Sequence, residues 1–281
     1  MKIGFTAVNV GNLAVPEIGR LAEMAEELGY ESFWTAEHII LPDLPPGQAE
    51  RPGDLPMLDP IAVLSYIAAR TRTLKLATGV LLLPQHEPLL LAKQLASLDV
   101  LSNGRTIVGI GVGGVEAEAK AIGVPMSERG ARATEYLEAM IALWSMDHPR
   151  YSGRYVSFEG INAYPRPIQQ PHPPLVGGGR SEGALRRAVK YCSGWFGFAQ
   201  TVEITSGILR TIQDIRQRIP RPVELGELEI TANPQEPMNR ETVEAYAALG
   251  VRRLLHRFPP FASVVEMEQI LRDNAPSKLG L

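Results

Sequence analysis

The chain has 281 residues, of which 45% are hydrophobic and 21% charged, as in an ordinary globular protein that can bury a large core. Its formal net charge of −3 excludes the basic character of proteins that coat nucleic acids, and its single cysteine, Cys192, excludes an internal disulfide framework. Because a run of about 18 apolar residues and a signal-peptide pattern are both missing from the sequence, we expect a cytoplasmic protein without a membrane partner.

Strand-like and helical segments alternate along the whole chain. Strands are predicted at residues 2–8, 32–36, 74–81, 106–110, 174–176, 194–198, 228–231 and 253–258. Helices are predicted at residues 16–28, 60–71, 88–101, 127–144, 181–191, 202–219 and 240–249, and after a capping box that opens at Ser263. Eight strand-then-helix units favour an α/β fold in which a parallel sheet closes into one (β/α)₈ TIM barrel, a single domain over residues 1–281.

Two segments break this alternation. Residues 41–58 are dense in proline and glycine, and residues 147–173 are rich in proline and aromatic side chains. Loops of this length are uncommon and often cover binding sites. We therefore expect residues 41–58 and the aromatic stretch 151–164 to close over a substrate.

In a TIM barrel the active site lies at the carboxyl ends of the strands. The residues that directly follow each predicted strand are therefore the candidates for the site. Glu37 and His38 directly follow the second strand. An imidazole exchanges protons near neutral pH, and a carboxylate can orient a neighbour. On the residues alone, a polar pair that only caps the strand end remains an open alternative.

The fourth strand is followed by Gly111, Gly113 and Glu116. Glycines at this place let a ligand approach the backbone closely, although the spacing is not that of a dinucleotide fingerprint. A bulged turn explains the glycines equally well. Glu116 would be a general acid if its site is dry, and otherwise it is an acidic residue in the first turn of a short helix.

The most specific local signal is the run Gly177, Gly178, Gly179, Arg180 and Ser181, which joins a strand to the start of a helix. Free N–H groups at a helix N-terminus bind anions, and Arg180 adds a bidentate cation, so the run predicts a phosphate site. A flexible turn with an N-cap is the alternative. The sequence has no Walker A loop, no zinc-site spacing among its histidines and no Gly-x-Ser-x-Gly elbow.

Taken together, these motifs resemble the luciferase-like monooxygenase superfamily of TIM barrels, and most of all its coenzyme F420-dependent oxidoreductases. The resembling segments keep the family's order, and the second of them is highly specific. They are residues 36–42, 76–114, 123–140, 173–188 and 248–259. The resemblance implies a bacterial luciferase-like barrel with no metal site.

The resemblance also assigns roles to single residues. It implies a non-proline cis peptide at Gly79-Val80 that supports a deazaflavin or flavin ring, and it places Glu37 and His38 near the reacting face of that ring. Gly177 to Ser181 would hold the cofactor phosphate, with Gly111 and Gly113 close to the cofactor as well. Glu116 matches the proton donor of F420-dependent sugar-phosphate dehydrogenases.

One departure from those sugar-phosphate enzymes is visible. They carry a tryptophan shortly after the histidine, where Pro42 stands here, and their phosphate-binding lysines lack a clear counterpart. The sequence therefore gives no support for a sugar-phosphate substrate.

The expected function is hydride transfer between coenzyme F420 and a small organic substrate with an activated alkene, a carbonyl or an alcohol, catalysed by His38 and Glu116 in a homodimer. An FMN-dependent monooxygenase served by a flavin reductase is the first alternative. FMN-dependent members often carry a second histidine after the acid-histidine pair, whereas Ile39 follows here. A non-catalytic cofactor-binding barrel is the second alternative.

Overall fold

A computed structural model of the protein describes residues 1–43, 53–259 and 261–281. Its strands, in chain order, are β1 Lys2–Thr6, β2 Ser32–Thr35, β3 Lys75–Thr78, β4 Leu81–Leu82, β5 Thr106–Gly111, β6 Tyr151–Ser152, β7 Ser157–Phe158, β8 Leu175–Gly178, β9 Gly194–Gln200, β10 Glu229–Pro234 and β11 Arg253–Arg257. Its helices are α1 Val15–Glu27, α2 Pro60–Arg70, α3 Pro88–Leu101, α4 Glu116–Ala121, α5 Arg129–Ser145, α6 Glu182–Tyr191, α7 Val202–Arg218, α8 Arg240–Ala248 and α9 Val264–Asp273.

Eight parallel strands form a closed barrel, which confirms the predicted (β/α)₈ TIM fold. The strands pair in the order β3-β2-β1-β11-β10-β9-β8-β5, and pairing of β3 with β5 closes the ring. β4 extends β3 and pairs with β5, while β6 and β7 form a separate hairpin. The carboxyl ends of all eight barrel strands therefore meet at one end of the barrel, its mouth.

The helices begin where the sequence predicts their caps. The side chains of Asp59, Ser181, Asn239 and Ser263 each accept a hydrogen bond from the backbone N–H three residues later. Such caps satisfy donors that a helix leaves unpaired at its first turn. Local sequence thus fixes several of the points at which the chain turns from the barrel mouth into a helix.

The barrel interior is filled in its lower and middle layers and open at the mouth. At the bottom, the buried Arg253 binds Glu31 through two nitrogens and also contacts Glu229 at 2.5 Å. Above it, Trp34, Phe196 and Leu255 belong to a buried apolar cluster. This cluster closes the middle of the barrel below the mouth.

Two predicted elements differ in detail from the structure. The predicted strand at residues 74–81 is interrupted at Gly79-Val80, where the peptide bond is cis, as the resemblance implied. The predicted helix at residues 127–144 begins at Arg129, and the short helix α4 precedes it. α4 has only six residues, too few to show a helical period in the sequence.

The aromatic stretch 151–164 lies against α5 and not over the mouth, which corrects our expectation for it, while residues 44–52 of the segment 41–58 lie outside the described residues. The β6–β7 hairpin lies along α5, where Glu138 accepts hydrogen bonds from Tyr151 and Tyr191, and Glu135 accepts from the N–H groups of Tyr155 and Val156. Near β5, Gln169 binds Asp99 on α3. A connection from a helix to the next strand runs toward the amino ends of the strands, away from the mouth.

Two leucines of α3 are exposed on one side of the helix. Leu90 is 59% exposed and Leu101 is 68% exposed, and the polar residues Lys93, Gln94 and Ser97 lie between them on that side. The homodimer stays a prediction. Within the described residues, no helix is both long and apolar enough to cross a membrane.

Candidate active site at the barrel mouth

A cleft of about 480 Å³ opens at the mouth of the barrel. Its walls come from the ends of β2, β3, β8, β9 and β10, and they include Glu37, His38, Val80, Arg180 and Phe198. Ligand sites typically have volumes of about 300 to 1,000 Å³. The cleft thus has the size and the position of a barrel active site.

His38 is held by a buried carboxylate that the sequence did not single out. Its Nδ1 lies 3.1 Å from Oε2 of Glu118, and the Glu118 side chain has 0% exposure while His38 has 18%. The backbone N–H of His38 lies 3.1 Å from the sulfur of Met57, at the described end of the 41–58 segment. This arrangement leaves Nε2 of His38 as the ring nitrogen available for a ligand in the cleft.

The surroundings of Glu118 favour its ionised form. Burial alone would raise the pKa of its carboxyl, but the hydrogen bond and charge of His38 and the N–H groups of Ile39 and Ile40 together lower that pKa below the usual range. A folded-state pKa below the unfolded value contributes stability above the unfolded pKa, and that stability is lost as pH falls through the folded pKa. The carboxylate therefore remains charged at neutral pH and can stabilise a protonated His38.

Glu37, the neighbour of His38, points to a different partner. Its carboxylate accepts a hydrogen bond from the N–H of Leu82 at 2.5 Å, and both its oxygens lie 3.0 Å from Nε2 of His86. Leu82 belongs to β4, directly after the cis peptide. Glu37 and His86 therefore tie the end of β2 to the chain that follows Val80.

The glycines of the neighbouring strands make room for Val80. A Cβ on Gly111 would lie 2.7 Å from the Val80 side chain, and one on Gly178 would lie 3.1 Å from it. A Cβ on Gly109 would lie 3.3 Å from Val80 and only 2.0 Å from the carbonyl oxygen of Thr78. The glycines let Val80 fit between β5 and β8, and Val80 in turn forms part of the cleft wall.

The turn from Gly177 to Ser181 forms the wall of the cleft on the side of β8. Gly177 packs against Ala188, and Gly179 has a φ of +103° that favours glycine. Ser181 caps α6 by accepting from the N–H of Ala184. Gly178, Gly179 and the exposed Arg180 line the cleft, so the first turn of α6 and one cation lie at its edge.

Most of the predicted site residues meet in this cleft. Those that line it are Glu37, His38, Gly79, Val80, Gly178, Gly179 and Arg180. Gly111 and Gly113 are not among its lining residues, and the structure gives them packing roles instead. Gly111 accommodates Val80, while Gly113 has a φ of +73° and lies against Gln85.

Glu116 is the main correction to the predicted site. It is exposed in the first turn of α4 and is not part of the cleft, whereas Glu118, two residues later, reaches His38. Two residues span about 200° around a helix, so only one of the two carboxylates can face His38. Because the two glutamates are only two residues apart in one short helix, the sequence does not indicate which of them faces His38.

Sequence reasoning also missed His86, the partner of Glu37. The residue lies between the short strand β4 and the start of α3, and an isolated histidine carries no spacing signal. No cluster of three or more metal-binding side chains occurs in the part of the chain that the structure describes. Proton exchange and anion binding are thus the chemistry that this cleft offers.

A family model described as luciferase-like monooxygenase matches residues 4–277. The chain belongs to the luciferase-like monooxygenase family. An uncharacterized protein of Mycobacterium tuberculosis strain H37Rv, Rv0953c, is 35% identical over 246 residues, which cover 85% of this chain and 86% of that protein. The family assignment rests on nearly the whole barrel.

A sequence relative and a solved structure of similar fold carry different cofactors in their names. The FMNH(2)-dependent dimethylsulfone monooxygenase of Pseudomonas putida is 32% identical over 161 residues, or 56% of this chain and 43% of that protein. The solved F420-dependent secondary alcohol dehydrogenase, in complex with an F420-acetone adduct, has a TM-score of 0.79 and 15% identity over 99% of this chain and 98% of that one. The solved dehydrogenase thus shares the barrel fold of this chain.

Proposed function

We propose that this protein is a coenzyme F420-dependent oxidoreductase that transfers hydride between the cofactor and a small organic substrate. The pair His38–Glu118 in the cleft carries this proposal, because each hydride given to a carbonyl or an alkene must be matched by a proton. The activity named for the secondary alcohol dehydrogenase of the same fold supports it. So does Ile39, which stands where FMN-dependent members often have a second histidine.

The residues of the cleft fit such a cofactor. Val80 offers an apolar surface for a flat ring, and the start of α6 with Arg180 offers donors and charge for a phosphate. When bound, the deazaflavin would supply hydride chemistry at C5 with little reaction toward oxygen. The chain itself would bind and orient the ring, and it would donate or accept the proton.

His38 would exchange that proton through Nε2. With Nδ1 paired to the ionised Glu118, the neutral ring has its proton on Nδ1 and accepts at Nε2. This form removes a proton from an alcohol, and the protonated form gives one to a carbonyl or alkene. Glu118 stabilises the protonated ring and fixes its orientation, while Glu37 and His86 hold the wall beside it.

Equilibrium titration of the purified protein with F420 and with FMN, followed by quenching of cofactor fluorescence, tests the cofactor assignment. We expect saturable binding of F420 that is at least about tenfold tighter than that of FMN. Tight binding of FMN without binding of F420 would overturn the proposal. It would instead favour a monooxygenase supplied by a flavin reductase, the second candidate, which the dimethylsulfone monooxygenase relative supports.

Substitution of Arg180 by glutamine tests the anion site. We expect the affinity for F420 to fall by about tenfold or more, because a charge-assisted contact to phosphate is lost. Arg186→Gln is the matched control, since Arg186 lies on the outside of the same helix and pairs with Glu182. Equal F420 affinity in the Arg180 variant and the control would contradict the site.

A further inference from the structure

One cation at the mouth has no role in the site described so far. Arg257 is exposed at the carboxyl end of β11, two residues after Leu255, which belongs to the interior cluster. Because side chains alternate along a strand, Arg257 lies on the same inward face as Leu255. Its guanidinium lies 5.6 Å from the ring centroid of Phe198, a residue of the cleft wall.

This arginine differs from the one four positions earlier. Arg253 is held by the carboxylates of Glu31 and Glu229, whereas no Asp or Glu of the described residues lies within 4.0 Å of Arg257. The contact with an aromatic face leaves the N–H edge of a guanidinium able to bind an oxyanion. Arg257 thus carries a charge beside the Phe198 wall of the cleft without an internal counterion.

The Phe198–Arg257 pair is held in place from below. Phe198 packs edge-on against the buried Phe196, with ring centroids 6.3 Å apart. Asn233 accepts from the N–H of Ala199 at 3.2 Å and donates to the carbonyl of Leu255 at 2.8 Å, so it links the ends of β9 and β11. The strand ends that carry Phe198 and Arg257 are therefore held at a fixed spacing.

Arg257 lies away from the residues assigned to the cofactor, whereas Phe198 lies on β9, the neighbour of β8, and shares the cleft with them. Val80 follows β3 and Arg180 follows β8, while β11 is separated from β3 by two strands and from β8 by two others. Phe198 and His38 line the same cleft as Val80, and Arg257 lies beside Phe198. A substrate bound next to a ring held by Val80 would therefore share the cleft with Phe198 and His38.

We propose that Phe198 and Arg257 form a specificity site for a carboxylate substituent on a planar, unsaturated substrate. This inference rests on the proposed function for the position of the cofactor, but the binding site itself consists of residues of this chain. Phe198 would contact the planar body, and Arg257 would bind the carboxylate through two N–H groups. The reacting double bond or carbonyl would then lie nearer His38.

Calorimetric titration with trans-cinnamate and with trans-cinnamamide tests the proposal, because the two probes have nearly the same shape and differ in charge. Binding is measured with and without F420, so failure of the cofactor assignment is seen separately as absent F420 binding. We expect the protein to bind cinnamate about tenfold more tightly than cinnamamide. That preference should shrink as salt is raised, because Arg257 is exposed.

Variants locate the source of the preference. Arg257→Gln should abolish the preference for cinnamate and leave the affinity for F420 unchanged, while Arg257→Lys should keep part of the preference. Arg252→Gln, an exposed arginine just before the amino end of β11, is the control and should bind both probes like the natural chain. Circular dichroism confirms that each variant is folded.

Three results would overturn the proposal. The first is equal affinity of the natural chain for the two probes, or no measurable binding of cinnamate. The second is a preference that survives in Arg257→Gln. The third is a loss of F420 affinity in Arg257→Gln with the cinnamate preference intact, which would assign Arg257 to the cofactor.

Discussion

Replacement of His38 by alanine is expected to lower kcat by about 10² to 10⁴-fold, the usual contribution of a general acid or base. The loss follows from the proposal that His38 exchanges the proton through Nε2, since His38 lines the cleft and Glu118 is buried behind it. The measurement is anaerobic oxidation of reduced F420 with cinnamaldehyde, which offers both a carbonyl and an activated alkene. Because His38 is not part of the proposed phosphate site at Arg180, the affinity for F420 should change by less than about tenfold.

His148→Ala is the control for this variant, because His148 is exposed in the 147–173 segment and does not line the cleft. Its kcat should equal that of the natural chain. A kcat for His38→Ala within about twofold of the control would remove His38 from the chemistry. Loss of F420 binding in the same variant would assign it to the cofactor site alone.

Gly109→Ala is expected to lower the free energy of unfolding by about 3 kcal/mol or more, at the upper end of the cost of overpacking. The added methyl would lie 2.0 Å from the carbonyl oxygen of Thr78 and 3.3 Å from Val80. Backbone atoms cannot move away as a flexible side chain can, so the pairing of β3 with β5 must open. Urea denaturation followed by circular dichroism measures the change.

Gly183→Ala provides the matched comparison. Gly183 is an exposed residue of α6, and an added Cβ would have no neighbour within 4 Å. Because alanine restricts the unfolded chain, this variant should unfold at the same or a higher urea concentration, with a gain of up to about 1 kcal/mol. A Gly109→Ala variant as stable as Gly183→Ala would show that β5 does not need glycine beside Val80.

The barrel itself could be predicted from the sequence because its signals are local. Alternating periods mark the strands and helices, and residues such as Asp59 and Ser263 mark the first turns of two helices. Position at a strand end then pointed to His38 and Arg180 before any contact was known. These inferences need only the order of elements along the chain.

The partners of the site residues could not be predicted in this way. Glu118 reaches His38 across 80 positions of the chain, and His86 reaches Glu37 across 49. Each contact depends on how α4 or the end of β4 is rotated relative to β2, and no sequence period reports that rotation. The sequence therefore pointed to Glu116 alone, and only the fold shows that Glu118 is the carboxylate buried beside His38.

The glycines illustrate a second limit. In the sequence, Gly111 and Gly178 indicate that another group approaches the backbone closely. They do not indicate whether that group is a ligand or a side chain of the protein. In the structure, the approaching group is the Val80 side chain of the protein itself. A glycine is required at such a position whether a ligand or a neighbouring side chain packs against it. Only the packing in the structure therefore distinguishes a ligand contact from a side-chain contact.

The most direct test of the account compares Glu118→Gln with Glu116→Gln in anaerobic oxidation of reduced F420 by cinnamaldehyde. We predict that the natural chain and Glu116→Gln have the same kcat, and that Glu118→Gln loses about 10²-fold or more, because its amide no longer holds His38 in the right tautomer. F420 affinity should be equal in all three. A fall in Glu116→Gln with full activity in Glu118→Gln, or turnover only with FMN and oxygen, would contradict the account.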